Sequence, residues 1–288
     1  MKLKNNWLPL IPAVFAVSWA AILIRACDAP ATIIAFYRMI FAAVMLLPFV
    51  LTVYRRNFRE FTKYSLLITS LAGVLLGWHF FFWIESLNHT SIASSVVLVT
   101  TQPVYVAILA SLILKEKTGL KGIISIILAI IGTILIAGFD FSLEKEYLWG
   151  DMLALAGAVM AGCYLFIGRI VRPRLSTMPY IFTAYSMAAL TLGIIVMVKG
   201  EFGASYQSSN YWYFFLLAAG PTLVGHTLYN YTLRHVKAHK VGLSIVGEPI
   251  LASIWAIFIF SEYPTIGAII GGVIIIFSLV LVFSERGQ

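Results

Sequence analysis

Apolar residues run along this chain in blocks of about twenty, with Lys, Arg, Gly, Pro and Asn gathered in the short gaps between them. A bilayer core of about 30 Å is crossed by roughly 20 apolar residues of helix, because in lipid every backbone N–H and C=O must be satisfied within the segment. On that criterion ten helices are predicted, over residues 7–24, 32–53, 64–87, 91–114, 120–138, 148–167, 179–198, 211–233, 241–260 and 266–283. Strands of a membrane barrel would alternate over stretches about half as long, and that pattern is missing. The blocks leave no length for a soluble domain. The first has the outline of a secretory signal, but its span length and Arg25, two residues before Cys27, predict a retained helix.

The pattern repeats. Sliding the chain by 146 residues lays "SLNHTSIASSVVLVTTQPVYVAILASLILKEKTG" on "TLRHVKAHKVGLSIVGEPILASIWAIFIFSEYPT", so that Leu87 meets Leu233, His89 meets His235, Pro103 meets Pro249 and Glu116 meets Glu262. Most of these coincidences are polar or helix-breaking, so shared hydrophobicity does not produce them. The predicted fold is therefore all-α and membrane-integral, built from two five-helix repeats over residues 1–140 and 141–288. Because five is odd, the second copy enters the membrane from the opposite side. Inverted repeats are a construction of secondary transporters, whose solute site lies near the midplane between the halves.

Composition agrees with a membrane protein: 61% of the 288 residues are hydrophobic, 11% are charged, and mean hydropathy is +0.94. The formal net charge of +8 reflects topology, since the basic residues form no patch or arm for nucleic acid. With the N-terminus inside, sixteen of the 20 lysines and arginines fall at cytoplasmic ends, three fall on the other side, and Arg38 lies within the second helix. Both termini are thus expected in the cytoplasm. Trp7, Trp149 and Trp212 begin segments and read as interface anchors. Cys27 and Cys163 match neither a disulfide framework nor a zinc site, so no metal is expected.

Candidate chemistry lies in the polar residues inside the apolar blocks. Glu248 precedes Pro249 as Gln102 precedes Pro103, and each proline frees a carbonyl four residues back, at Ile245 and Val99. Together they suggest a polar notch in the wall of a central site. His79 and His226 each lie fifteen residues into a helix, and opposite helix directions predict them on opposite sides of the midplane. His226, Tyr229, Asn230 and Leu233 recur at the spacing of one helix face, as do His79 and Trp83. Trp19 and Trp78, in mid-helix, would add aromatic wall. The expected solute-binding set is Trp19, Arg38, Trp78, His79, Trp83, Gln102, His226, Tyr229, Asn230 and Glu248, with Glu248, His79 and His226 as proton-coupling candidates. Whether Glu248 carries protons depends on the balance between its burial and the charge of Arg38. The small residues of "LAGVLLG", "LALAGAVMAG" and "GAIIGG" are expected to let helices approach closely.

Walker, GxSxG, HExxH and DxDxG sequences are missing, so neither ATP hydrolysis nor another enzymatic activity is predicted, and no cofactor. "APATIIAFYRMIFAA", then "SLNHTSIASSVVLVTTQPVYVAILASLILKEK", repeated as "EPILASIWAIFIFSE", resembles the EamA group of the drug/metabolite transporter superfamily. The resemblance implies a multi-pass permease of the inner membrane whose central site is walled by helices 1–4 and 6–9, with helices 5 and 10 in support. It also implies that Arg38 in "FYRM" occupies a position where the family commonly has arginine; the second copy has Ser186 there. The expected function is secondary transport of amino acids or related small metabolites, with export favoured. The expected partners are a small-molecule solute, the lipid bilayer and protons as coupling ion, with the chain as monomer or homodimer. Efflux of aromatic or quaternary cations is the alternative, and a lipid-modifying membrane enzyme a remote one.

Overall fold

A computed structural model describes residues 8–115, 119–143, 145–202, 206–235, 245 and 247–284, with the backbone alone for 137–143, 233–235, 279 and 282–284. Trp7 and Glu116 lie outside the described residues, as do the side chains of Leu233 and His235. Thirteen α-helices are described: α1 Leu10–Ser18, α2 Ala20–Arg25, α3 Ala31–Thr52, α4 Lys63–Ser86, α5 Ile92–Val99, α6 Gln102–Ile113, α7 Leu120–Leu143, α8 Lys145–Val171, α9 Thr177–Val198, α10 Ser208–Leu217, α11 Thr227–His235, α12 Gly247–Phe260 and α13 Ile266–Ser284. A 3₁₀ turn, Arg55–Glu60, joins α3 to α4, and a π-helical stretch, Ala218–His226, joins α10 to α11. Among the described residues, five helical stretches have the length and apolarity to cross a bilayer: Ala31–Thr52, Lys63–Ser86, Ile92–Ile113, Lys145–Val171 and Thr177–Val198. Leu10–Arg25, Leu120–Ile136, Gly247–Phe260 and Ile266–Ser278 are shorter apolar helices.

Local chemistry explains where the helices start and break. Thr62 and Ser65 form a reciprocal capping box at the head of α4, and Ser91 accepts the Ser94 N–H at the head of α5. The segment expected as one helix over 7–24 is interrupted at Trp19, next to Ser18, whose hydroxyl donates to the Phe15 carbonyl at 2.8 Å. The segment 91–114 breaks at Thr100 and Thr101, just before Pro103, as the missing proline N–H requires. The segment 211–233 widens around Pro221 instead of continuing as an α-helix.

Packing across the chain is symmetric. α4 rests on α8 and α9; α3 rests on α9, α10 and the π stretch; α1 rests on the π stretch and α12; α5 rests on α8 and α12; α7 rests on α13. Exchanging the first half for the second returns these pairings, while the contacts of α7 with α8 and of α5 with α13 have no exchanged counterpart among those described. Small residues make these contacts possible. A Cβ added at Gly73 of α4 would lie 2.5 Å from the Ala184 carbonyl of α9, and one at Gly271 of α13 would lie 2.5 Å from the Gly132 carbonyl of α7. Ile127, Ile130, Ile134, Val273 and Phe277 leave the outer faces of α7 and α13 exposed and apolar, as a lipid-facing surface requires. Trp149 and Trp212 are exposed near the starts of α8 and α10.

Each end of the bundle is tied together. At one end Glu60 accepts the Ser176 N–H at 2.6 Å, joining the α3–α4 connection to the α8–α9 connection. At the other, Arg25 pairs with Glu262 at 3.6 Å and donates to the Thr90 carbonyl at 3.1 Å, while Glu262 accepts the Ile92 N–H at the start of α5. This clasp unites α2, α5 and the end of α12, which come from both halves. Two residues beyond Arg25, burial pushes the Cys27 thiol up to about 12, so very little reactive thiolate exists at neutral pH. Loosening the clasp with Glu262→Ala, in a chain also carrying Cys163→Ser, is expected to expose Cys27. Its labelling by a membrane-impermeant maleimide at pH 7 should accelerate at least about tenfold, because a thiol returned to water regains its ordinary range. An unchanged labelling rate would show that the clasp does not hold this end closed.

Candidate functional site

One group of polar side chains in the bundle interior gathers around Arg38 of α3. The residue is fully buried. Its Nε donates to Thr222 Oγ1 at 2.7 Å, and its guanidinium carbon lies 4.1 Å from the centre of the Phe80 ring and 5.9 Å from that of Trp83. Cation–π attraction to two rings compensates part of the lost hydration. Thr222 owes its role to Pro221. Proline has no N–H, so the Leu217 carbonyl loses its helical donor; the Thr222 hydroxyl donates to that carbonyl at 3.0 Å and keeps lone pairs free to accept from Arg38. The widened turn therefore builds the seat of the arginine, in keeping with the frequent placement of π-bulges at functional sites.

Two histidines and a carboxyl complete the group. His79 of α4 stacks on Trp83 with ring centres 6.0 Å apart, and its Nδ1 lies 3.0 Å from the Gly157 carbonyl of α8. A carbonyl only accepts, so Nδ1 carries the hydrogen and Nε2 is left for another partner. His226, at the end of the π stretch, meets the Phe80 ring edge-on at 5.6 Å. Arg38 lies within electrostatic reach of both imidazoles, of Glu248 at the head of α12 and of Tyr185 on α9. Glu248 is partly exposed, and none of the described ion pairs joins it to Arg38. Both halves of the chain thus contribute to one charged, aromatic-walled cluster.

Several expected site residues lie elsewhere. The two histidines do not occupy separate stations; they flank the same phenylalanine. The face expected to carry His226, Tyr229 and Asn230 together divides, because adjacent residues point about 100° apart on a helix. Tyr229 packs with Leu10, Ala13 and Val17 of α1. Asn230 donates to the Tyr164 hydroxyl at 3.0 Å and to the His226 carbonyl at 2.8 Å, facing α8. Gln102 starts α6 with its carbonyl against Gly162 of α8, and no described contact joins it to Arg38. At the break before it, the threonine hydroxyls of Thr100 and Thr101 cover the Val97 and Leu98 carbonyls at 2.8 and 2.6 Å. Trp78 stacks on Phe82 with centres 5.4 Å apart, beside Phe81. Trp19 stacks on Trp255 at 5.0 Å, and the indole N–H of Trp255 donates to Ser18 at 3.1 Å, forming an aromatic seam between α1 and α12. Phe80, Thr222, Tyr185 and Trp255 were not singled out by sequence. Only Thr222 carried a signal, a hydroxyl directly after a proline inside an apolar run.

Known proteins carry the same pattern. A family model described as the EamA-like transporter family matches twice, over residues 6–138 and 148–284. An uncharacterized transporter of Archaeoglobus fulgidus is 23% identical over 88% of this chain and 86% of its own length. An uncharacterized transporter of Bacillus subtilis, YxxF, is 24% identical over 79% of this chain and 73% of its own. A probable purine permease of Arabidopsis thaliana is 26% identical over a shorter stretch, 40% of this chain and 31% of that protein. A solved crystal structure superposes with a TM-score of 0.65 at 18% identity, covering 99% of both chains, and so shares the fold. These relatives point to transport across a membrane rather than to enzymatic chemistry, with a small-molecule solute and lipid as the implied partners. With the same family model covering both halves and nearly the whole length, the chain belongs to the EamA-like transporter family.

Proposed function

We propose that this chain is a secondary active transporter that moves amino acids or related small metabolites out of the cell by alternating access. The observation that carries the reading is the convergence of Arg38, His79, His226 and Glu248, from both halves, around Phe80. In this reading the ten predicted helices cross the inner membrane as two oppositely inserted five-helix units, residues 1–140 and 141–288, with both termini in the cytoplasm. The exchange symmetry of the helix pairings and the doubled family match support it. The two halves rock about the Arg38 cluster while the ties at the two ends form and release in turn. Efflux of aromatic cations has less support, because a guanidinium at the centre of the cluster repels a cationic solute.

Glu248 is the proposed proton carrier, since it alone in the cluster combines a carboxyl group with partial exposure. Transport into proteoliposomes across an imposed pH gradient tests this. Wild-type flux of a common amino acid is expected to rise several-fold with the gradient, and Glu248→Gln is expected to lose that response, its remaining flux being the same with and without the gradient. Equal responses from both proteins would remove Glu248 from the coupling role.

A further inference from the structure

The cluster contains more hydrogen-bond donors than it uses. Arg38 is held from behind through Nε, yet both terminal nitrogens of its guanidinium, Nη1 and Nη2, are buried without a hydrogen-bond partner among the described residues. The Nε1 of Trp83, whose ring lies beside the same guanidinium, is likewise buried and unpartnered. Leaving buried donors unmade is costly, most of all on a charged group, and the rings over Arg38 offer no lone pair to the two nitrogens. A guanidinium with its fork unused presents two parallel N–H groups, the geometry that matches a carboxylate bidentately. Trp83 adds a third donor. Glu248, half-buried at the head of α12, supplies an acceptor within electrostatic reach of Arg38.

We infer that the Nη1 and Nη2 atoms of Arg38, with the indole N–H of Trp83, form the subsite for a carboxylate on the transported solute, and that Glu248 receives its ammonium group. This assignment rests on the transporter reading and names the solute class as zwitterions with a free carboxylate. The covering rings close over the fork in the present conformation. Uncovering it requires displacement of α4, which carries both rings, against α3 and the π stretch, a movement of the kind alternating access supplies. The Thr222 bond fixes the fork's direction, so recognition depends on shape as well as charge.

The test uses the purified full-length chain in proteoliposomes. Leucine, phenylalanine and threonine are offered as free acids, as their carboxamides and as the amines lacking the carboxyl group. The acids are expected to move at least about tenfold faster than the amides or amines, the scale of a lost charged hydrogen bond. Arg38→Lys keeps the charge and loses the fork, and should lower movement of the acids by a similar factor. The comparison of acids with amides needs no variant, so it stands even if Arg38→Lys fails to fold. Amides moving as fast as acids, or a folded Arg38→Lys with unchanged flux, would overturn the carboxylate assignment and leave the transporter reading in place. If none of the three is moved, the amino-acid reading falls, and thermal stability decides the subsite. A rise in Tm with butyrate or benzoate, but not with butyramide or benzamide at equal ionic strength, upholds the assignment; equal effects of acid and amide overturn it.

Discussion

Arg38→Met is expected to abolish transport while leaving the purified protein at least as stable as wild type. The two effects separate because Arg38 serves function at a cost to stability. Its side chain is fully buried and, among the described residues, carries one hydrogen bond, to Thr222, with two charged donors unmade. Withdrawing such an ion from water costs several kcal/mol, and a desolvated aromatic face returns about 2 kcal/mol, which leaves the unmade donors uncompensated. Methionine has a similar length, packs well against Phe80 and Trp83, and removes the penalty. Thr222 keeps its bond to Leu217, so the wide turn retains its support. The measurements are flux in proteoliposomes and Tm in detergent. A variant that unfolds would show that Arg38 is mainly a structural tie; one that still transports would remove it from the site.

The second large effect is expected at Gly73. A Cβ there would lie 2.5 Å from the Ala184 carbonyl and 2.6 Å from the Met187 Cβ, so both a backbone and a side chain of α9 stand in its way. Gly73→Val should force α4 and α9 apart at the contact between the two halves. The overpacking cost is about 1–3 kcal/mol or more, enough to lower Tm by several degrees and to deplete correctly folded protein. Gly220→Ala is the matched control, because nothing lies within 4 Å of a Cβ at that position, and it is expected to leave Tm within about 2 degrees of wild type. If Gly73→Val is as stable as the control, the close approach of the halves does not limit folding.

The helical blocks were readable because lipid demands long apolar runs, and the charged members of the cluster were readable because charge inside such a run is costly. Arg38, His79, His226 and Glu248 were therefore visible, and so were the glycines that bring α4 to α9 and α7 to α13. Phe80 was not. It is one of 20 phenylalanines, and its placement between a guanidinium and two imidazoles depends on how three helices meet. Tyr229 and Asn230 flank the stripe through His226, and which neighbour each meets is set by contacts with α1 and α8, which spacing alone does not reveal. Gln102 shares a motif with Glu248, but the motif fixes only the proline break. Where the neighbouring side chain leads depends on what packs beside it.

The widened turn at Ala218–His226 makes the chain sensitive to length at a place where it tolerates little. Because that turn accommodates residues beyond an ordinary α-helical count, losing a single residue there would let α10 run straight into α11. Everything downstream would then swing about the axis by roughly a quarter of a turn, carrying His226 off the Phe80 ring. Related chains should accordingly exchange side chains through this stretch far more readily than they gain or lose a residue within it.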